Sequence, residues 1–328
     1  MLRKFRTFKR SINTLVLMTP LIALADINGI EFVGKETITL HNPDSLSSEP
    51  PKKILVNKIK IDNKFKEEFR NQLKLIIHNL DYNHLKKNLK LNPQDFNVDL
   101  GMSNVPVLDQ GQNDTCSLFA TSAWLDANFN AGDYLSQQCL LELGVYLNQT
   151  NNEESGWEGI TSGTVYLNRV NTSGAISKTN CPDQYADKTK SMDTQTYWNY
   201  SNGKWSQEIT WNKITRKDIN ALKQSLDSGE RVYIEVLLHK NYVDGFAIDN
   251  LDHALWDLPP NEPDRTNFVN DVLNNTNLVG HGGVVTGYSD TLKILKIRNS
   301  WGAKYGDKGE FYMSYDFYQL MNSDAYIK

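Results

Sequence analysis

Cysteine and histidine are scarce in this chain of 328 residues, which contains three cysteines and six histidines. No pair of them has the close spacing of a zinc site, so we expect neither a bound metal nor another cofactor. Hydrophobic residues make up 39% of the chain and charged residues 23%. This composition is that of neither a disordered chain nor a membrane bundle, and it predicts a soluble globular body.

The chain also lacks an excess of positive charge, because its formal net charge is −4. Residues 98–328 hold 18 basic and 29 acidic residues, whereas residues 51–90 hold 11 and 4. An acidic domain repels phosphate groups, so nucleic acid is not an expected partner. The basic segment either lies on the acidic domain through charge complementarity or is a solvated helix face, and the sequence leaves both open.

The first residues have the pattern of a secretory signal. Basic residues at positions 3, 4, 6, 9 and 10 precede an apolar run from Leu15 to Leu24, and small residues surround a predicted cleavage point after Ala25. A stable membrane anchor is the alternative, but the run is shorter than the roughly 20 residues that a spanning helix needs. We therefore expect a secreted protein with signal peptide 1–25; a periplasmic or lysosome-like destination is left open.

Export would expose the three cysteines to an oxidising compartment. Cys139 and Cys181 could close a loop of 43 residues, which would leave Cys116 as a free thiol. The alternative is that Cys139 and Cys181 are buried free thiols. The sequence does not decide between these readings, because pairing depends on the distance between Cα atoms.

Hydrophobic periodicity predicts a mainly helical first half and a mainly β second half. After a Pro- and Ser-rich linker at 42–52, helical spacing predicts an amphipathic helix over 62–80 and a short helix over 85–91. A buried helix is predicted to begin at Cys116 and to end before Gly132, with Asp114 or Thr115 as its N-cap. The predicted strands are 231–238, 283–288, 292–298 and 311–315.

Cys116 has the setting of a reactive thiol. A helix N-terminus and a neighbouring imidazolium both lower the pKa of a thiol and so favour the nucleophilic thiolate. His281 begins a Gly-flanked strand, and Asn299 follows 18 residues later, where its amide could orient the imidazole. His281 is therefore a stronger candidate for the partner of Cys116 than His239 or His253.

Three stretches resemble the catalytic blocks of papain-like cysteine peptidases in order and spacing. They are DQGQNDTCSLFA (109–120), HGGVVTGY (281–288) and NSWGAKYGDKGEFYM (299–313). The resemblance implies a nucleophilic Cys116, His281 as base and then acid, Asn299 as its orienter and Gln110 as oxyanion donor. It also implies a substrate cleft bordered by Gly159, Val279, Gly282 and Trp301.

The same resemblance implies an α+β fold of two lobes behind a helical pro-segment at 26–97. The peptidase domain would span 98–328, with a helical lobe to about residue 205 and an antiparallel β-barrel lobe after it. The pro-segment would block the cleft until it is cut. The expected partners are peptide or protein substrates and the chain's own pro-segment.

The sequence departs from the family around the nucleophile. Asn113, Asp114, Thr115 and Ser117 replace the usual Cys-Gly-x-Cys-Trp pattern, and the charge of Asp114 is expected to raise the pKa of Cys116. Asn113 is a potential glycan acceptor beside the cleft, which favours a bacterial source. The separation of Cys116 and His281 exceeds that of the family, and we attribute it to a long surface loop at about 240–278.

The sequence thus predicts a secreted cysteine peptidase made as an inactive precursor. Two other functions keep the same residues: an acyl transferase, in which an amine takes the acyl group, and a catalytically degenerate protein that binds peptides or inhibits peptidases. His253 in the inserted stretch is either an ordinary loop histidine or an exopeptidase docking residue. The substrate and the oligomeric state are not determined by the sequence.

Overall fold

The computed structural model describes residues 29–41, 50–79, 91–183 and 187–328. The predicted signal peptide, residues 42–49 of the predicted linker and residues 85–90 of the predicted second helix lie outside these ranges. None of the described helices is long and apolar enough to span a membrane.

The described chain contains helices, strands and two short 3-10 turns, which are numbered here in chain order. The α-helices are α1 (Asn63–Asn79), α2 (Cys116–Asn128), α3 (Gln137–Asn151), α4 (Thr164–Ser173), α5 (Thr194–Ser201), α6 (Ile219–Asp227), α7 (Asp264–Leu273) and α8 (Tyr315–Met321). The strands are β1 (Ile30–Thr39), β2 (Lys53–Ile61), β3 (Val98–Asp99), β4 (Asn212–Lys213), β5 (Val232–His239), β6 (Phe246–Ile248), β7 (Leu251–Trp256), β8 (Leu278–Ser289), β9 (Ile294–Arg298), β10 (Glu310–Ser314) and β11 (Asn322–Ile327).

One sheet carries the second half of the chain, and β8 is at its centre. β8 pairs in antiparallel fashion with β5 and β9. Near its two ends, β8 also makes short antiparallel pairings with β2 and β3. The main path of the sheet runs β4-β11-β5-β8-β9-β10-β7-β6 without closing. The lobe expected to be an antiparallel barrel is therefore an open sheet, and it is mixed because β10 runs parallel to β7. The predicted α+β class is confirmed.

Helix α2 lies inside the helical half and is buried on nearly every side. Ten of its 13 residues are buried, and Trp124 donates an indole N–H to the Arg231 carbonyl oxygen over 2.8 Å. A helix that is packed on all sides has apolar residues around its whole circumference, and the Ala, Leu and Phe residues of α2 have this distribution. This packing fixes the position of the first turn of α2, which contains Cys116.

A disulfide joins Cys139 to Cys181, and Cys116 is a buried free cysteine. The pairing that the sequence left open is thus decided by the Cα separation of 5.9 Å, which lies in the range that a disulfide spans.

The N-terminal segment contains a β-hairpin that the sequence analysis did not predict. β1 and β2 pair over their full lengths, and β2 joins the main sheet where Lys58 pairs with Val279 of β8. Helix α1 follows and confirms the predicted helix at 62–80 to within a residue. Phe65 and Phe69 on its apolar face have no solvent exposure.

The stretch 240–278 is not the long surface loop that we expected. It folds into β6, β7 and α7, and its Trp256 and Phe268 are 1% exposed in the core. The expectation was wrong because the mainly polar residues between Asp257 and Asn267 are typical of a surface loop, whereas the aromatic residues on either side of them are buried. Those residues hold the stretch against the sheet.

Candidate active site

Cys116 is the first residue of α2, and the residue is 5% exposed. Thr115 occupies the N-cap position but makes no side-chain cap, so neither predicted cap acts as one. Gly282 permits the close approach of β8 to α2, because a Cβ atom there would lie 3.2 Å from the Cα of Ser117.

His281 lies on β8 and is held by an amide and two indole rings. Its Nε2 is 2.8 Å from Oδ1 of Asn299, and its ring centroid is 4.7 Å from that of Trp301 and 5.6 Å from that of Trp256. An amide oxygen accepts, so Nε2 carries the hydrogen of the neutral ring. The other nitrogen, Nδ1, is then the one that accepts a proton.

Gln110 connects the first predicted block to the third. Its backbone N–H donates to the Ser300 carbonyl oxygen, and its Oε1 accepts from the Ser300 hydroxyl, both over 2.8 Å. Its Nε2 donates one hydrogen to the Asn113 carbonyl oxygen over 2.9 Å. An amide nitrogen has two hydrogens, so one donor remains for another acceptor.

Cys116 and His281 line the same cavity, which has a volume of about 370 Å³. The cavity lies between residues 98–328, here called the main domain, and the N-terminal hairpin. The hairpin contributes Phe32, Asn57 and Ile59 to the lining. The hairpin therefore covers the cavity that both the predicted nucleophile and its predicted partner line.

Of the four predicted substrate-binding residues, Gly159 lines this cavity, and Val279, Gly282 and Trp301 do not. Gly159 lies close to Asn57 of β2. Val279 is 1% exposed and packs in the apolar core, and its neighbour Gly280 lines the cavity. Gly282 lies against the backbone of Ser117 at the start of α2, and Trp301 packs on the His281 ring.

Burial changes the acidity of both predicted catalytic groups. Desolvation, assisted by the negative charge of Asp114, raises the pKa of Cys116 to about 12. Desolvation lowers the pKa of His281 to about 4, and the hydrogen bond that its Nε2 donates to Asn299 acts in the opposite direction. Both groups are therefore uncharged at neutral pH in this covered arrangement, unlike the thiolate and imidazolium expected of an active cysteine site.

Sequence reasoning missed several residues of this site. Ser300 lies in the third block, where the resemblance gives a role only to its neighbours Asn299 and Trp301. Ser300 holds Gln110 through two hydrogen bonds. Trp256 packs on His281 from the stretch that we expected to be a loop. Within the N-terminal segment, the alternation of apolar residues in KILVNKIKI (53–61) is a signal for β2.

One group of described residues has potential metal ligands close together. Ligand atoms of His41, Asp244 and His253 lie within 4.8 Å of one another. Asp244 accepts hydrogen bonds from the backbone N–H of His41 over 2.7 Å and pairs with its Nδ1 at 2.5 Å. The group thus connects the N-terminal segment to the main domain through direct hydrogen bonds, outside the cavity that contains Cys116.

Comparisons with known sequences give limited matches. No family model matches the chain. The "Gamete and mating-type specific protein A" of Dictyostelium discoideum is 27% identical over 217 residues, which is 65% of this chain and 41% of that protein. The chain thus matches about two fifths of the length of that curated relative.

Comparisons with solved structures are more informative about the fold. Xylellain, a cysteine protease from Xylella fastidiosa, superposes with a TM-score of 0.52 at 19% identity, over 73% of this chain and 90% of that one. A structure from a study of the mite allergens Blo t 1 and Der p 1 has a TM-score of 0.51 at 15% identity, over 80% and 91% of the two chains. The chain therefore has the fold of the papain-like cysteine proteases.

Proposed function

We propose that this chain is the precursor of a secreted cysteine peptidase. The observation that carries the proposal is that Cys116 and His281 line one cavity while His281 is hydrogen-bonded to Asn299. Nucleophile, base and orienting group are the three parts that such a site requires. Residues 1–25 would be the signal peptide, 26–97 the pro-segment and 98–328 the peptidase domain.

The proposed reaction is acyl transfer to water. His281 Nδ1 takes the thiol proton, and the Cys116 sulfur attacks the carbonyl carbon of a peptide bond. The second N–H of Gln110 Nε2 and the backbone N–H of Cys116 hold the oxyanion. The imidazolium then protonates the leaving amine, and a water molecule, deprotonated by His281, hydrolyses the thioester. No cofactor takes part in these steps.

The precursor state is supported by the position of the hairpin over the cavity and by the uncharged state of Cys116 and His281 beneath it. Removal of residues 26–97 would admit water to the cavity. Hydration favours the charged forms, so the pKa of the thiol falls and that of the imidazole rises. The Cys139–Cys181 disulfide fits export to an oxidising compartment.

The test compares the full-length chain before and after limited cleavage at residues 91–97. The rate of Cys116 alkylation by iodoacetamide is measured from pH 4 to 10, together with hydrolysis of a fluorogenic peptide mixture. The uncut chain should react slowly at neutral pH, because a thiol with a pKa of about 12 is almost entirely protonated there. The cut chain should hydrolyse peptides and should be alkylated well below pH 7.

Three variants of the cut chain serve as controls. Cys116→Ala should abolish hydrolysis, and His281→Ala should remove the alkylation below pH 7. His253→Ala is the matched control for the alkylation, because it removes a histidine outside the cavity and should leave the alkylation below pH 7 unchanged. An alkylation rate that rises only near the ordinary thiol pKa of about 8.5, with or without His281, would overturn the proposal and favour a degenerate, peptide-binding protein.

The acyl transferase alternative differs only in the group that accepts the acyl chain. Adding a primary amine to the cut chain and analysing the products by mass spectrometry separates the two reactions. Products that contain the amine in place of the free acid would mean that the function is acyl transfer and not hydrolysis.

A further inference from the structure

The cavity that contains Cys116 is acidic. Among the described residues that line it, the main domain contributes the carboxylates of Asp114, Glu235 and Asp324 and no lysine or arginine. The hairpin adds Glu31 to the same lining. A cavity with negative walls and limited access to solvent attracts cations and repels anions.

Two of these carboxylates are already satisfied within the main domain. Glu235 accepts the backbone N–H of Gly163 over 2.6 Å, and Asp324 lies 2.7 Å from the amine of Lys213. Removal of the N-terminal segment would leave both of these contacts in place, because all four residues belong to the main domain.

Asp114 differs because its cationic partner comes from the N-terminal segment. Its side chain is 2% exposed, and its Oδ2 lies 2.9 Å from Nζ of Lys35 in β1. The same amine donates to Oδ1 of Asn57 in β2 over 2.6 Å. The hairpin thus presents an aliphatic stem with a cationic end to a buried carboxylate two residues before Cys116.

Gly159 gives this carboxylate its access. A Cβ atom at Gly159 would lie 2.5 Å from Oδ2 of Asp114 and 2.4 Å from Nδ2 of Asn57. The absence of a side chain therefore leaves a space at the carboxylate that the hairpin fills. When the hairpin leaves, this space opens to the part of the cleft that Gly159 lines.

A buried carboxylate without a partner is costly, because burial disfavours its charge. The burial of Asp114 raises its pKa to about 6, even though the hydrogen bond and charge of Lys35 act in the opposite direction. After removal of the segment, Asp114 must become hydrated, take up a proton or bind another cation. A lysine or arginine side chain of a substrate supplies such a cation with the same geometry as Lys35.

We propose that Asp114 is a specificity-determining residue that binds a basic side chain of the peptide substrate beside the bond to be cut, and that Lys35 is its intramolecular substitute in the precursor. The inference rests on the proposed function only in taking the Cys116 cleft as the peptide site. It names a substrate class, namely peptides with lysine or arginine within two residues of the cleaved bond on its acyl side.

The experiment uses the full-length chain cut at residues 91–97 and pairs of fluorogenic peptides. The peptides of a pair differ only in lysine or norleucine, which has a similar aliphatic stem without the charge, at one of the two positions before the cleaved bond. Because a hydrogen bond to a charged group is worth more than a neutral one, we expect kcat/KM to be roughly tenfold to a hundredfold higher for the lysine peptide at one position. Asp114→Asn should abolish this preference, so that the two peptides of the pair have equal kcat/KM.

Glu158→Gln is the matched control, because Glu158 is a nearby carboxylate with a side chain that is 61% exposed. It should keep the preference for lysine. Circular dichroism of each variant establishes that it is folded. Equal hydrolysis of both peptides by the wild-type chain would overturn the inference and leave the peptidase function intact.

A binding measurement separates the inference from the proposed function. The cut Cys116→Ala chain is titrated into each fluorescently labelled peptide, and anisotropy is recorded. If no peptide is hydrolysed by the wild-type chain but the lysine peptide binds tenfold more tightly, the peptidase proposal fails and the basic subsite stands. Equal binding of both peptides would overturn the subsite as well.

Discussion

The hydrogen bond from His281 to Asn299 determines which nitrogen of the imidazole accepts a proton. Because Nε2 is committed to the amide oxygen, Nδ1 is the proton acceptor of the neutral ring. Trp301 and Trp256 pack around the same ring and keep water from that hydrogen bond. At the scale of single residues, the orientation of the base therefore depends on neighbours from β7 and from the turn after β9.

Replacement of Gln110 should lower the rate of the chemical step and leave substrate binding nearly unchanged. We expect Gln110→Ala to lower kcat of the cut chain by roughly 10² to 10³, the usual loss for one oxyanion donor, with little change in KM. Ser300→Ala is the control, because it removes the partner of Gln110 Oε1 and keeps the Nε2 donor. A kcat that is unchanged in Gln110→Ala would place the oxyanion donor elsewhere.

The hairpin formed by β1 and β2 acts on the site as a whole element. It pairs with one end of the central strand β8 and covers the cavity, and its lysines pair with acidic residues of the main domain at Asp114 and Asp109. Within the basic segment 51–90, Lys52 pairs with Asp109 of the main domain, whereas Glu68 of α1 pairs with Arg216 and Lys217. The ion pairs of the segment with the main domain thus have both polarities, and its two readings stay open.

Helix α1 anchors this hairpin through its apolar face. We expect Phe69→Ala to lower the free energy of unfolding by about 3 to 5 kcal/mol, because Phe69 is fully buried in the core shared with the main domain. Leu75→Ala on the same helix is the matched control; Leu75 is 61% exposed, and the change should cost less than about 0.5 kcal/mol. Urea denaturation followed by tryptophan fluorescence measures both values.

A second readout links this element to the site. Loosening the hairpin should also raise the alkylation rate of Cys116 in the uncut Phe69→Ala chain. Equal stability of the two variants would mean that α1 does not hold the hairpin in place.

At the scale of the molecule, the disulfide connects distant parts of the helical half. Cys139 lies on α3, and Cys181 lies in the connection between α4 and α5. The loop-entropy relation gives a crosslink that closes 43 residues a stabilisation of about 4 kcal/mol, so Cys139→Ser with Cys181→Ser should lower the unfolding free energy by that amount.

The control for this prediction uses the remaining thiol. Cys116→Ser forms no part of the crosslink and should change the stability by much less. In the presence of a reducing agent, the wild-type chain should fall to the stability of the double variant. A wild-type chain that is unaffected by reduction would contradict the prediction.

Local patterns were sufficient for α1, for the helix that begins at Cys116, for the strands β5, β9 and β10 and for residues 283–288 of β8. In each of them the apolar period is uninterrupted and matches one kind of element. The order of the blocks around Gln110, Cys116, His281 and Asn299 likewise indicated the fold and the candidate site before any coordinates. These features depend on residues that are close in the sequence or on short motifs with a specific spacing.

Long-range packing decided the rest. The hairpin of β1 and β2, the pairing of Cys139 with Cys181 and the burial of Trp256 all depend on contacts between segments that are distant in the chain. The covered state of Cys116 is the clearest case. The sequence places it at a helix N-terminus, which lowers the pKa of a thiol, but desolvation in the covered cavity raises that pKa. Desolvation depends on what packs above the thiol, so only the tertiary structure determines it.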